Sequence, residues 1–171
     1  MLTKSIEIVV IRQKSVDRSN QERCVKLSTR TRYGTRLMIR LGLYYRAKEP
    51  VLLRDIAKEE EISEKYLSQI IIPLKSAGLV NSFRGAKGGY TLSRAPSQIR
   101  IGEIVEALEG GFDVADCIRR PSECSRVSVC VTRDLWCKVS EKILQTLNSV
   151  TLEDLVKQLK EKAGSSTLYN I

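Results

Sequence analysis

Apolar positions along the chain fall into short helical stripes separated by glycine, proline and polar breaks. Tyr33, Leu37, Ile39, Leu41 and Tyr44 approximate one face of a helix, with Ser28 or Thr29 placed to cap it. After Pro50, Val51-Leu52-Leu53 leads into a compact amphipathic turn, Arg54-Asp55-Ile56-Ala57-Lys58. Ser63 then caps a second helix, with Glu64 in the first turn, where the helix dipole favours an acid. Tyr66, Leu67, Ile70, Ile71 and Leu74 form its face to be buried, and Gly78 stops it. Leu79–Phe83 and Tyr90–Leu92 flank Arg84-Gly85-Ala86-Lys87-Gly88-Gly89, which predicts a β-hairpin with a basic, glycine-rich tip. Ile101, Ile104, Val105 and Leu108 give a short helix closed by Gly110-Gly111. A loop over roughly 113–131 follows. From Thr132 to about Asn148 a long helix is expected, with Leu135, Trp136, Val139, Ile143, Leu144 and Leu147 on its apolar side, and Thr151 caps a last helix through Leu159.

Helix, turn, helix, basic hairpin is the order of a winged helix-turn-helix. The expected fold is therefore mainly α with a small β-hairpin wing, followed by a long C-terminal helix suited to dimerisation. Residues 1–24 lack a sustained period and read as a flexible extension, and 25–100 as the winged helix-turn-helix domain. Residues 101–131 hold a linking helix and the loop, 132–160 the dimerisation and C-terminal helices, and 161–171 a flexible tail. The apolar side of the long helix would equally serve to pack on the chain's own domain.

Charge sharpens this picture. The 171 residues carry a formal net charge of +9. Residues 25–100 have 15 basic and 6 acidic side chains, net +9, so the middle segment holds the whole excess. Concentrated positive charge favours a polyanion through counterion release, although a basic surface kept for solubility would have the same composition. There is no histidine. That removes the commonest general base and every Ser–His or Cys–His pair, and no P-loop, G-x-S-x-G or G-x-G-x-x-G is present, so an enzyme is not expected. No apolar run approaches the ~18 residues of a membrane span, and the Ile6–Ile11 stretch, interrupted by Glu7, is a poor signal core. A cytoplasmic protein follows as the expectation, and there five cysteines point to metal or redox chemistry more than to disulfides.

Cys117, Cys124 and Cys130 have the spacing C-x6-C-x5-C. Structural zinc sites favour C-x2–4-C pairs, whereas three thiolates on one loop suit the soft irons of an iron–sulfur cluster. Three unrelated cysteines remain the alternative at this point.

With these residues in view, the chain resembles the IscR/NsrR type of bacterial iron–sulfur transcription regulators from about Val25 to Leu159. The likeness is carried by Leu27-Ser28 with Arg32-Tyr33, Ile56-Ala57, Ile62-Ser63-x-x-Tyr66-Leu67-x-Gln69, Leu74-Lys75-x-x-Gly78-Leu79-Val80 and the wing Arg84-Gly85-x-x-Gly88-Gly89-Tyr90. It continues through Ile101-Gly102-Glu103-Ile104, the three cysteines, Leu135-Trp136 and Thr151-Leu152-x-Asp154-Leu155. Chains of this type usually begin with Met where Val25 stands, so no function is assigned to residues 1–24 or to Cys24.

The resemblance implies a homodimer on a double-stranded DNA operator, acting as repressor or activator. The recognition-helix start offers Ser63, Lys65, Ser68 and Gln69 to the major groove, with Gln69 suited to pair bidentately with adenine. Relatives place a carboxylate at the position of Ser68, so their operator preference does not transfer. Arg84, Gly85 and Lys87 of the wing would meet backbone or minor groove, and Arg30, Arg32 and Arg36 offer further phosphate contacts. Cys117, Cys124 and Cys130 would hold an iron–sulfur cluster, [2Fe–2S] in preference to [4Fe–4S], sensing redox state, nitric oxide or iron–sulfur status. Relatives draw a fourth ligand from a histidine at the place of Arg133 or an acid near that of Arg32; Cys137, one turn after Arg133, is the natural substitute, with Asp134, Asp116 or an exogenous ligand as alternatives. Two other readings stand beside this one: a regulator of the same fold without a cluster, answering a metabolite or partner protein, and an iron–sulfur electron carrier.

Overall fold

The computed structural model describes residues 27–47, 49–85 and 88–167. The expected extension 1–24 with Cys24, and Lys87 of the wing, lie outside them. The described chain is mostly helical with one antiparallel hairpin, the arrangement expected of a winged helix-turn-helix.

Helix α1 runs Thr29–Tyr44, and the Ser28 side chain accepts a hydrogen bond from the Thr31 N–H as its N-cap. Its buried residues are Thr31, Gly34, Leu37, Met38, Leu41 and Gly42; Leu37 and Leu41 are buried as expected, Tyr33 and Ile39 sit at the edge of this stripe, and Tyr44 is exposed. At Gly34 the reason is close approach: a Cβ there would collide with Leu108 Cδ1 and stand 3.2 Å from Ile70 Cγ2. Helix α2 spans Leu53–Glu60 and α3 spans Glu64–Ser76. Helix α3 contains Pro73, which the apolar spacing did not reveal and which has no N–H to give the Gln69 carbonyl one turn back.

Strands β1, Val80–Phe83, and β2, Gly89–Leu92, pair in the register Val80 opposite Leu92 and Phe83 opposite Gly89. The segment before α2 joins them: Val51 N–H donates to the Tyr90 carbonyl and Tyr90 N–H to the Val51 carbonyl, both at 2.9 Å. That pairing brings two backbones together at Gly89, where φ is +142° and a Cβ would lie 2.6 Å from the Val51 carbonyl oxygen, so only glycine fits.

Helix α4 spans Ile101–Glu109, the interval expected, and ends at Gly110 in the left-handed conformation. A short α5, Asp116–Arg119, lies in the cysteine loop, followed by α6, Val131–Ser149, and α7, Leu152–Thr167. Helix α7 opens with reciprocal hydrogen bonds between Thr151 and Asp154. It continues past Leu159, where Lys160, Glu161, Lys162 and Ala163 are good helix formers. The core is one cluster in which α1 meets α3, α4 and α7, with Leu152 and Val156 of α7 facing Gly42. No helix among the described residues is long and apolar enough to cross a membrane.

A charged contact ties α1 to α2. Glu60, at the end of α2, is buried and receives Nε of both Arg36 and Arg40, while Arg36 Nη2 also donates to the Glu60 carbonyl at 3.1 Å. Burial alone would raise this carboxyl, but the hydrogen bonds from Arg40 and Arg36 outweigh it and hold the pKa below the usual 4.5. A depressed carboxyl contributes stability that is present above its unfolded value and lost as pH falls through the folded one. Glu60→Gln is therefore expected to destabilise the fold at neutral pH by about 1–3 kcal/mol. It should also flatten the loss of stability below pH 4.5, read from urea midpoints across pH; an acid slope identical to that of the parent would refute the pairing.

Candidate nucleic-acid interface and cysteine loop

The first turn of α3 is held from two sides. Ser63 Oγ accepts the Tyr66 N–H at 3.2 Å, which fixes where the helix begins and leaves the hydroxyl proton free to donate outward. The Tyr66 ring meets Tyr33 of α1 edge to face, with centroids 5.9 Å apart. With Leu67, Ile70, Ile71 and Leu74 buried, the opposite face presents Glu64, Lys65, Ser68 and Gln69, all exposed. Ser68 Oγ donates to the Glu64 carbonyl at 2.9 Å, so its hydroxyl faces an outside partner as an acceptor.

In the wing, Arg84 and Gly85 are exposed at the tip, Gly85 has φ +102°, and Gly88 N–H closes the turn onto the Gly85 carbonyl at 2.9 Å. Arg30 and Arg32 are exposed on the first turn of α1, and the Arg32 guanidinium lies 5.8 Å from the Tyr33 ring centroid. Arg36 is different. Its guanidinium is engaged by Glu60, a partner far away in sequence that periodicity does not reveal, and so it braces α1 against α2 rather than standing free for phosphate.

A second junction joins α1 to the end of α4. Ser28 and Thr31 hydroxyls both donate to Glu109 Oε1. Burial raises the Glu109 carboxyl, but these two bonds, with Arg30 nearby, lower it overall. Arg94, on the exit from the wing, similarly pairs with Glu103 in the first turn of α4. Glu103 entered the sequence reading only as part of a motif and Glu109 not at all; a Ser/Thr cap signal does not say which distant carboxylate it will find.

The cysteine loop is built otherwise. From Gly110 to Val139 no residue is buried, and Ser140, which accepts the Val114 N–H at 3.2 Å, is the one buried residue of α6. The loop is held by short-range polar contacts, among them Arg119 to Asp113 at 3.3 Å, Arg120 to Glu123 at 3.1 Å and Arg133 Nε to the Cys117 carbonyl at 3.4 Å. Cys117, Cys124, Cys130 and Cys137 are half-buried and free of disulfides. Cys130 stands at the N-cap position of α6 without a capping side-chain bond; the Thr132 hydroxyl at 3.2 Å and then the Arg133 N–H hold its thiol below the usual 9.0.

This set fits an iron–sulfur centre in donor chemistry, as several free thiols on a segment with no core of its own. It is not gathered into one: among the described residues no three His, Cys, Asp or Glu side chains are close enough to hold a metal ion. Along α6, Leu135 and Trp136 are 52% and 43% exposed, whereas Val139, Ile143, Leu144 and Leu147 are half-buried, so the apolar side anticipated there is uncovered only at its first turns.

Residues 27–158 match the family model Rrf2, described as an iron-dependent transcriptional regulator. Protein rrf2 of Nitratidesulfovibrio vulgaris, strain Hildenborough, is 38% identical over 133 residues, 78% of this chain and 88% of that protein. Among solved structures, CymR of B. subtilis, described as its global cysteine regulator, superposes with a TM-score of 0.65 at 36% identity, covering 79% of this chain and 98% of that one. The IscR of T. potens does so with a TM-score of 0.64 at 38% identity, covering 81% of this chain and 90% of that one.

A loop without buried side chains opens at low free energy. In the metal-free protein, hydrogen exchange resolved by peptide is expected to be orders of magnitude faster over residues 113–131 than over α1, α3 and α4. Protection equal to that of the core helices would show a packing contribution the loop contacts do not supply.

Proposed function

The chain belongs to the Rrf2 family of transcriptional regulators, and from that membership we propose that it binds operator DNA as a homodimer, under control of an iron–sulfur cluster on the cysteine loop. The observation that carries the DNA reading is the exposed polar face of α3, capped at Ser63 and set beside a basic wing within the segment that holds the net positive charge. Ser63, Lys65, Ser68 and Gln69 enter the major groove, and Gln69 pairs with adenine. Arg84, Gly85 and Lys87 of the wing, with Arg30 and Arg32 of α1, meet the backbone and the flanking minor groove. The exposed Leu135 and Trp136 at the start of α6 help close the dimer.

For the sensor, Cys117, Cys124 and Cys130 are the ligands proposed, with Cys137 as the fourth. Four free, half-buried thiols beside a segment that buries nothing support this. A bound cluster supplies sensitivity to oxidants, nitric oxide and iron supply. What the chain contributes is the connection: the loop is spliced between α4 and α6, and α4 reaches α1 through Glu109 and α3 through its buried face. A loop drawn together at one end of α4 would bias the separation of the two recognition helices in the dimer.

A regulator of the same fold without a cluster is the second reading. It is favoured by the ungathered thiols and by the likeness to CymR, described as a cysteine regulator. Anaerobic purification with assay of iron and acid-labile sulfide, plus a visible spectrum, separates the two. Iron, sulfide and thiolate-to-iron absorption that changes in Cys137→Ser are expected; a colourless, iron-free protein would establish the second reading instead.

For DNA binding, Gln69→Ala is expected to cost about 1–3 kcal/mol and to relax preference at one base position. Arg84→Ala should weaken binding alike on all sequences and lower the salt slope by about one. Equal effects of both substitutions on specific and random duplexes would refute the assignment of Gln69 to base reading.

A further inference from the structure

One side chain on the outer face of α3 does not match its neighbours. Glu64, Lys65, Ser68, Gln69 and Lys75 are exposed and polar. Ile72 stands among them with 63% of its surface accessible, whereas Leu67, Ile70, Ile71 and Leu74 are at most 3% exposed. Scattered exposed aliphatics are ordinary on protein surfaces, so exposure alone decides nothing. Position does.

Ile72 follows Ser68 by four residues and Gln69 by three, which places it on the next turn of the same stripe. At 1.5 Å per residue it lies about 6 Å further along the axis than Ser68, close to two base-pair steps of ~3.4 Å. The helix interval from Glu64 to Ile72 is then about 12 Å long, comparable to the width of the major groove. The apolar feature that base pairs present in that groove is the thymine 5-methyl group. A β-branched side chain in a helix is held near one χ1 rotamer, so its methyl groups meet such a target already oriented.

We propose that Ile72 reads a thymine methyl group in the operator, beside the base pair read by Gln69. The inference rests on α3 docking in the major groove and adds to it a fixed apolar contact, so that an A·T-containing step is recognised by one hydrogen-bonding and one methyl-sensing residue.

The test uses the full chain, purified anaerobically, and the tightest-bound duplex recovered from a random-sequence pool. Each thymine is replaced in turn by uracil, which keeps base pairing and removes only the methyl group. At one thymine per half-site the replacement is expected to weaken the parent protein roughly fourfold, the factor for one methyl group leaving an apolar contact. Ile72→Ala should bind the thymine duplex about as weakly and show no discrimination at that site, with its circular dichroism unchanged. Neutral uracil substitutions throughout, or a loss undiminished in Ile72→Ala, would overturn the assignment of Ile72 while leaving DNA binding intact. If no duplex is enriched from the pool, the DNA-reading proposal beneath it fails as well.

Discussion

Helix α3 packs against α1 and α4 around the junction at Gly34. There α1 comes so close to α3 and α4 that a single added carbon would strike Leu108 and crowd Ile70. Interiors are close-packed, so an added Cβ here would make the ends of the Leu108 and Ile70 side chains shift. The caps at Ser28 and Ser63, the edge-to-face contact of Tyr33 with Tyr66 and the bonds from Ser28 and Thr31 to Glu109 all surround that crossing. They mark where each helix starts; the glycine leaves room for the Leu108 and Ile70 side chains at the crossing. The polar face of α3 is directed outward because its apolar face has one place to go.

That hierarchy explains which parts of the fold were legible in the chain. Ser63 followed by Leu67, Ile70, Ile71 and Leu74 defines a capped helix and its buried side from local chemistry alone, as does Ile101–Glu109 ending at Gly110. For α1 the apolar letters rightly mark Leu37 and Leu41 as buried, and Tyr33 and Ile39 are half-buried, but Tyr44 is exposed and the buried face also takes in Gly34, Met38 and Gly42. A glycine adds nothing to a hydrophobic stripe, yet in a helix crossing it marks the closest contact. Pro73 within α3 and the bridge from Val51 to Tyr90 were likewise invisible to periodicity, the first because packing tolerates it and the second because one residue pair is no pattern.

Charge was legible as a sum and not as an assignment. The excess over residues 25–100 marks that segment as basic, but it does not distinguish an arginine available to a phosphate from one already committed. Arg30 and Arg32 are exposed at the start of α1; Arg36 and Arg40, one and two turns on, converge on a buried carboxylate from α2. A buried acid with two guanidinium partners is costly to break and specific in geometry. The same arginine-rich helix thus divides along its length into an end that can meet DNA and a middle that holds the helix-turn-helix together.

The cysteine loop presents the reverse problem, a segment whose chemistry is plain and whose packing is incomplete. Thirty consecutive residues, 110–139, bury no side chain, although they include Leu135, Trp136 and four cysteines. Ordering such a stretch costs roughly 1–2 kcal/mol per residue in backbone entropy, and salt bridges among exposed arginines and acids return little of it. In the proposed dimer, apolar burial along α6 and bonds to the free thiols are the two remaining sources of order, and they act on adjacent residues, since Cys137 follows Trp136 directly. In that dimer, whatever gathers the thiols would therefore also bear on how α6 meets its partner. Because α4 enters the loop at Glu109 and is bonded there to Ser28 and Thr31 at the start of α1, the proposed sensor has a direct connection to the junction on which α3 rests.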